Sequence, residues 1–157
     1  MTATLAPDWL DQFQGLRSLP DDLKTSILSR AVPVSVGAGA QIFGPGHTPE
    51  YLLLLVSGRI RVQKVSEQGR EIFLYRVVAG ESCVMTTACL LAYEDYQAEG
   101  LAETDVLCAG LPRSYFDELL RELGHAVANL SWPRILALAF QCRQSADSKA
   151  AVLFGRA

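Results

Sequence analysis

The sequence predicts a mainly β fold with flanking helices, an antiparallel β-roll or jelly roll set between a helical lead-in and C-terminal helices. Three observations carry this reading. The hydrophobic period changes from helical to two near Val32 and changes back after Leu111. Glycines punctuate the alternating region at Gly37, Gly39, Gly44, Gly46, Gly58, Gly69, Gly80 and Gly100. Strands broken by Gly and Pro roughly every ten residues mark a sandwich or barrel. The 157 residues suit one domain with its own core, and a composition 50% hydrophobic and 20% charged excludes general disorder.

Residues 1–31 read as the lead-in. Asp8-Trp9-Leu10-Asp11-Gln12-Phe13 is a short amphipathic turn, and Pro20-Asp21-Asp22-Leu23 opens a helix to about Arg30. Its proline and two acids occupy the first turn, where the helix dipole favours negative charge. Residues 32–111 read as the roll. Val32, Val34 and Val36 alternate, as do Ile60 and Val62, while Ile72, Leu74 and Arg76 oppose Phe73, Tyr75 and Val77. Gly69, in Ser66-Glu67-Gln68-Gly69, is placed to turn a hairpin between strands 59–65 and 71–77. Residues 112–157 read as helical, first over 114–123 and then from Ser131-Trp132-Pro133 to about Ser148, with Ser131 as cap.

Composition narrows the functional classes. Fourteen bases against 17 acids give a net charge of −3, which does not suit a nucleic-acid binder. Residues 1–20 carry no apolar targeting core, and the densest apolar runs, 51–56 and 135–140, are too short for a bilayer. Cys83, Cys89, Cys108 and Cys142 form no CxxC pair, which fits reduced thiols in a cytoplasmic protein.

The order of parts, with its glycine-spaced motifs, resembles the effector domain of Crp/Fnr-type transcription regulators over about residues 16–142. The motifs are Gly37-x-Gly39-x-x-Ile42-Phe43, the run Tyr51-Leu52-Leu53-Leu54-Leu55-Val56-Ser57-Gly58-Arg59-Ile60-Arg61-Val62, and Gly69-Arg70-Glu71-x-x-Leu74 followed by Val77-x-x-Gly80-Glu81. Ala102-Glu103-Thr104-Asp105-Val106-Leu107-Cys108 resembles the strand leaving the family's ligand pocket. The resemblance implies a cyclic nucleotide-binding-like β-roll, a double-stranded β-helix, followed by a dimerisation helix.

In that family a Gly-Glu pair takes the ribose hydroxyl and an Arg-Ser pair takes the cyclic phosphate, the guanidinium matching an anionic oxygen pair. The matching positions here are Val84 and Met85, then Tyr96 and Gln97. No Lys or Arg lies between Cys83 and Pro112, while Glu94, Asp95, Glu99, Glu103 and Asp105 are acidic. Binding of cAMP or cGMP in the family's mode is therefore not expected. Val84, Met85, Thr86, Thr87 and Ala88, with Tyr96 and Gln97, remain the effector-pocket candidates, an apolar lining with two hydroxyls suited to a weakly polar effector. The haem-bearing branch has Cys and His where this chain has Val84 and Thr86, with Cys83 one position early. The iron–sulfur branch needs cysteines near its N-terminus, and none precedes Cys83. Haem and iron–sulfur cluster are both unexpected. The effector is not identified by the residues.

Other constellations are weaker. Cys83 and Cys89 could form a thiol switch, although free cysteine more often packs in a core, as Cys108 is expected to do. His47 and Glu50 resemble half of the metal motif of cupin enzymes, whose further histidines have no counterpart except His125 in the helical tail. No Ser-His-Asp order or phosphate loop can be assembled, so no catalytic residue, metal site or enzyme is expected. Ile135, Leu138, Ala139 and Cys142 share one face of the last helix and are expected to form a homodimer seam. Only 24 residues follow Pro133, too few for the family's helix-turn-helix domain, so this chain alone is not expected to bind DNA. The leading expectation is a non-catalytic sensor domain. A cupin-like metalloenzyme and a ligand-free dimerisation module are its rivals, and whether the chain is a fragment of a longer regulator is left open.

Overall fold

The structure, a computed structural model, describes residues 4–127. A single tight turn at Trp9–Gln12 and the short helix α1 (Gln14–Arg17) lead into α2 (Asp21–Arg30). Asp21 and Asp22 lie in the first turn of α2 and Arg30 in its last, the favourable sense for the dipole. Seven strands follow: β1 (Val32–Val36), β2 (Gln41–Phe43), β3 (Tyr51–Ser57), β4 (Arg59–Val65), β5 (Glu71–Val78), β6 (Glu99–Ala102) and β7 (Val106–Pro112). The helix α3 (Val84–Ala92) is inserted between β5 and β6, and α4 (Arg113–Val127) follows β7. The strands form two antiparallel sheets, ordered β1–β7–β3 and β2–β6–β4–β5.

The four consecutive leucines of β3 follow from this layering. Leu53 pairs with Gly110 and Leu55 with Cys108, and both leucines pack inside the roll with Phe43, Val62, Tyr75 and Val106. Leu52 and Leu54 point to the opposite face, opposite Leu111 and Ala109, and pack under Trp9, Phe13, Leu16, Ile27 and Phe116. A strand covered on both faces reads as an unbroken apolar run. Each leucine removed from water contributes about 1.5–3 kcal/mol, so one short segment joins the helical layer to the roll.

The β4–β5 hairpin turns at Gly69, which holds φ +81, a conformation that side chains disfavour. The simple alternation expected for 72–77 needs one correction. The pairing shifts between Val62 and Gln63, so Val62 faces Tyr75 but Gln63 faces Phe73. This bulge turns Phe73 outward, where it is 43% exposed, while Tyr75 and Val77 stay buried. Among the described residues no helix is long and apolar enough to cross a membrane. The helix expected from Ser131, with the seam residues Ile135, Leu138, Ala139 and Cys142, lies outside the described residues.

Candidate functional site

The site forms where α3 meets the inside of the roll. The N–H of Cys83 bonds the Leu53 carbonyl at 3.1 Å, and Ser82 bridges to Leu54, so β3 fixes where α3 begins. At its other end Tyr93 closes the helix in the left-handed region at φ 54, unusual for a side chain of this size. The exposed ring is held from outside: the Arg113 guanidinium lies 4.9 Å from its centroid and its hydroxyl reaches Asp117 at 3.4 Å.

Inside the roll, the polar groups of α3 are satisfied by side chains of this chain. The N–H of Met85 donates to the Tyr75 hydroxyl at 2.9 Å, and the Thr86 and Tyr96 hydroxyls share a hydrogen bond at 3.1 Å. Thr86 is fully buried, and Met85, Tyr75 and Tyr96 nearly so. The Tyr96 ring stacks on Phe43, with centroids 4.3 Å apart and planes 15° from parallel. Phe43 in turn lies against Gly100, where a Cβ would come within 2.4 Å of the ring. Only a glycine in β6 admits this stack.

The titratable groups here are held neutral. Burial pushes the Tyr75 and Tyr96 phenols well above their ordinary range, the Cys83 thiol adding to both effects. Burial likewise raises Cys83, against hydrogen bonds with Thr86 and Tyr75 that lower it. Cys89 is raised by burial, then by Cys83 and the carboxylates of Glu94 and Asp95, and Cys108 is pushed up to about 12, chiefly by burial. Protonated, buried thiols are poor nucleophiles, and neutral phenols are poor bases. The arrangement packs and hydrogen-bonds.

The sequence-derived candidates are thus partly assembled. Met85, Thr86, Tyr96, Cys83 and Cys89 converge, and Cys108 packs in the same core. Thr87 is half-buried, its hydroxyl bonded to the Cys83 carbonyl. Gln97 is exposed, with its amide on the Asp95 carbonyl. Val84 and Ala88 belong to α3, but their side chains lie outside the description. Sequence reasoning missed Phe43, Tyr75 and Gly100 as parts of the site. Phe43 was visible as the end of a glycine-spaced motif, but its pairing with residues 96 and 100 spans more than fifty positions.

The acids expected to repel a phosphate are mostly engaged elsewhere. Glu103 pairs with Arg76 at 2.7 Å, Glu99 accepts from Gln63, Asp105 caps the Ala38 N–H and Asp95 takes the Thr48 hydroxyl. The strand alternation that turns Gly100 inward turns Glu99 outward. The roll's arginines also face out: Arg61 and Arg76, cross-strand partners in β4 and β5, lie 4.8 and 4.9 Å from the Phe73 centroid. Occupation by side chains, more than charge repulsion, therefore characterises the pocket segment.

His47 and Glu50 are exposed on the β2–β3 connection and line a cleft of about 450 Å³ with Val34, Ile42, Phe43, Thr48, Tyr51, Leu53 and Tyr96. Among the described residues no group of three or more His, Cys, Asp or Glu side chains is placed to hold a metal ion. The connection is tied on both sides. Gly46 and His47 exchange backbone hydrogen bonds with Tyr96 at 3.1 and 3.0 Å, and the Glu50 carbonyl accepts the N–H of Arg113 at 2.9 Å.

Comparison with known proteins agrees with this architecture. A family model described as the cyclic nucleotide-binding domain matches residues 33–122, more than half of the chain. A transcriptional regulator assigned to the Crp/Fnr family from Eubacterium rectale superposes with a TM-score of 0.70 at 22% identity, over 92% of this chain and 62% of that one. The N-terminal domain of a transcriptional regulator from Streptomyces coelicolor gives 0.66 at 20% identity, over 90% of this chain and 96% of that domain. The regulatory subunit of a cAMP-independent protein kinase A from Trypanosoma brucei gives 0.66 at 20% identity, over 78% of this chain and 44% of that one. This chain thus spans less than two thirds of the two longer proteins, and identities this low establish the fold alone. No curated protein matches the sequence. On the family match and the shared β-roll, the chain belongs to the cyclic nucleotide-binding domain family, with Crp/Fnr-type regulators among its structural neighbours.

Proposed function

We propose that this domain is a non-catalytic regulatory sensor of the Crp/Fnr type that does not take cyclic nucleotide in the family's usual mode. The observation that carries the reading is the Tyr96 side chain. It stands where the resemblance puts the phosphate-binding arginine, stacks on Phe43 and bonds Thr86. Met85 stands at the ribose-binding glutamate, with its N–H already given to Tyr75. A cyclic phosphate would have to displace a satisfied, buried network, and no Lys or Arg of residues 84–111 would meet it there.

The same reading makes the protein a cytoplasmic homodimer, joined through Ile135, Leu138, Ala139 and Cys142, that transmits effector binding as a change in dimer geometry. Its effector is a small molecule other than a cyclic nucleotide. Native mass spectrometry of protein taken directly from cells tests this. The expected result is a dimer carrying a small-molecule mass that is not cAMP or cGMP. Copurified cyclic nucleotide would overturn the reading, and a dimer that never carries a ligand would replace it with a ligand-free dimerisation module.

A further inference from the structure

We propose that the cleft under the β2–β3 connection is a binding site for a small planar aromatic molecule carrying a protonated amine. Its volume of about 450 Å³ falls in the usual range of small-ligand pockets, about 300–1,000 Å³. The partly buried Tyr51 supplies aromatic surface, backed by the buried Phe43–Tyr96 stack, and the partly buried Val34 and Ile42 supply aliphatic surface. Aromatic side chains favour a flat partner by stacking or edge contact, and they attract a cation to their faces.

The rim decides the charge. Glu50 lines the cleft, no Lys or Arg among the described residues does, and a second carboxylate, Asp95, accepts the Thr48 hydroxyl at 2.9 Å, while the nearby Arg113 guanidinium is engaged by the Pro49 carbonyl and the Tyr93 ring. An ammonium group therefore meets one carboxylate directly and another nearby, whereas an anion meets both as repulsion. Thr48 and His47 offer further polar contacts at the mouth.

The site is wired to the two helices that a sensor would need to move. Its inner wall includes Tyr96, whose hydroxyl is bonded to Thr86 of α3. Its outer wall is the 44–50 connection, whose Pro49 and Glu50 carbonyls hold Arg113, the first residue of α4, at 3.3 and 2.9 Å. A ligand that orders this connection bears on both helices at once. The inference deepens the reading above and rests on it, because the Phe43–Tyr96 stack forms the inner wall of the cleft.

The test is an NMR titration of the full chain with three matched probes: tryptamine, indole and indole-3-acetate. Tryptamine is expected to give saturable shifts centred on residues 42–53 and 96, binding about tenfold more tightly than the acetate. Glu50→Gln, a change on an exposed side chain, is expected to bring tryptamine close to indole, and Val34→Phe is expected to weaken all three by filling the cleft. The proposal is overturned if tryptamine gives no saturable shifts, if the shifts centre elsewhere, if cation and anion bind alike, or if Glu50→Gln leaves tryptamine unchanged. Because cyclic nucleotide is absent from this titration, its outcome is separate from that of the proposed function.

Discussion

Gly100→Ala tests whether the Phe43–Tyr96 stack fills the roll as described. The added methyl would lie 2.4 Å from Phe43 Cε1 and 2.6 Å from Cζ, about 1 Å or more inside the optimal carbon separation of about 3.5–4.0 Å. The ring must move, and moving it pulls it from a partner only 4.3 Å away. Overpacking of this kind costs about 1–3 kcal/mol, and loss of the aromatic pair adds about 0.5–1.5 kcal/mol. Alanine in a strand interior recovers about 0.5–1 kcal/mol relative to glycine. The net expectation is a loss of about 0.5–4 kcal/mol, which lowers Tm by about 2–4 °C per kcal/mol in a chain of this size. Urea denaturation measures it, and a double-mutant cycle with Phe43→Leu isolates the contact. In the Phe43→Leu background the same alanine should cost less than about 1 kcal/mol. An unchanged urea midpoint for Gly100→Ala, or an equal cost in both backgrounds, would refute the packing assigned to this site.

Three further outcomes are expected. Site-resolved alkylation near neutral pH should leave Cys83, Cys89 and Cys108 unlabelled until urea unfolds the chain, because burial keeps all three thiols protonated; rapid native labelling of Cys83 would support a thiol switch instead. The Glu103 carboxyl is held below its ordinary pKa, first by its hydrogen bond from Arg76. Its small stabilisation is therefore present above the unfolded value near 4.5 and is lost as pH falls through the lower folded one. The stability difference between wild type and Glu103→Gln should close over that acidic range and shrink with added salt; a difference that persists at low pH would refute the pairing. Leu138→Glu should convert a dimer to monomers in sedimentation velocity with the circular dichroism of the roll intact; a wild-type monomer at the same concentration would remove the seam.

The fold was legible because its signals are local. The switch of period at Val32, the glycine at 69 and the prolines and acids before Leu23 each specify structure within a few residues. The β4–β5 hairpin and α2 follow those signals directly. The run of leucines in β3 marked a buried strand, but only the layering shows that Leu52 and Leu54 serve the helices while Leu53 and Leu55 serve the roll. The site was legible only in part. Absence of the phosphate-binding arginine could be read at Tyr96, whereas its replacement by a stack needs Phe43 and Gly100, brought together by β2–β6 pairing. The bulge at Leu74, opposite the step from Val62 to Gln63, was equally hidden, since nothing in the alternation of 59–65 marks where a partner strand slips.

Isothermal titration of the full chain with cAMP and cGMP tests the central claim most directly. With Tyr96 and Phe43 occupying the inside of the roll, and Thr86 and Tyr75 already bonded to Tyr96 and the Met85 N–H, neither nucleotide should give a saturable heat in the micromolar range. A saturable micromolar isotherm with either nucleotide, abolished by Tyr96→Ala, would contradict the account.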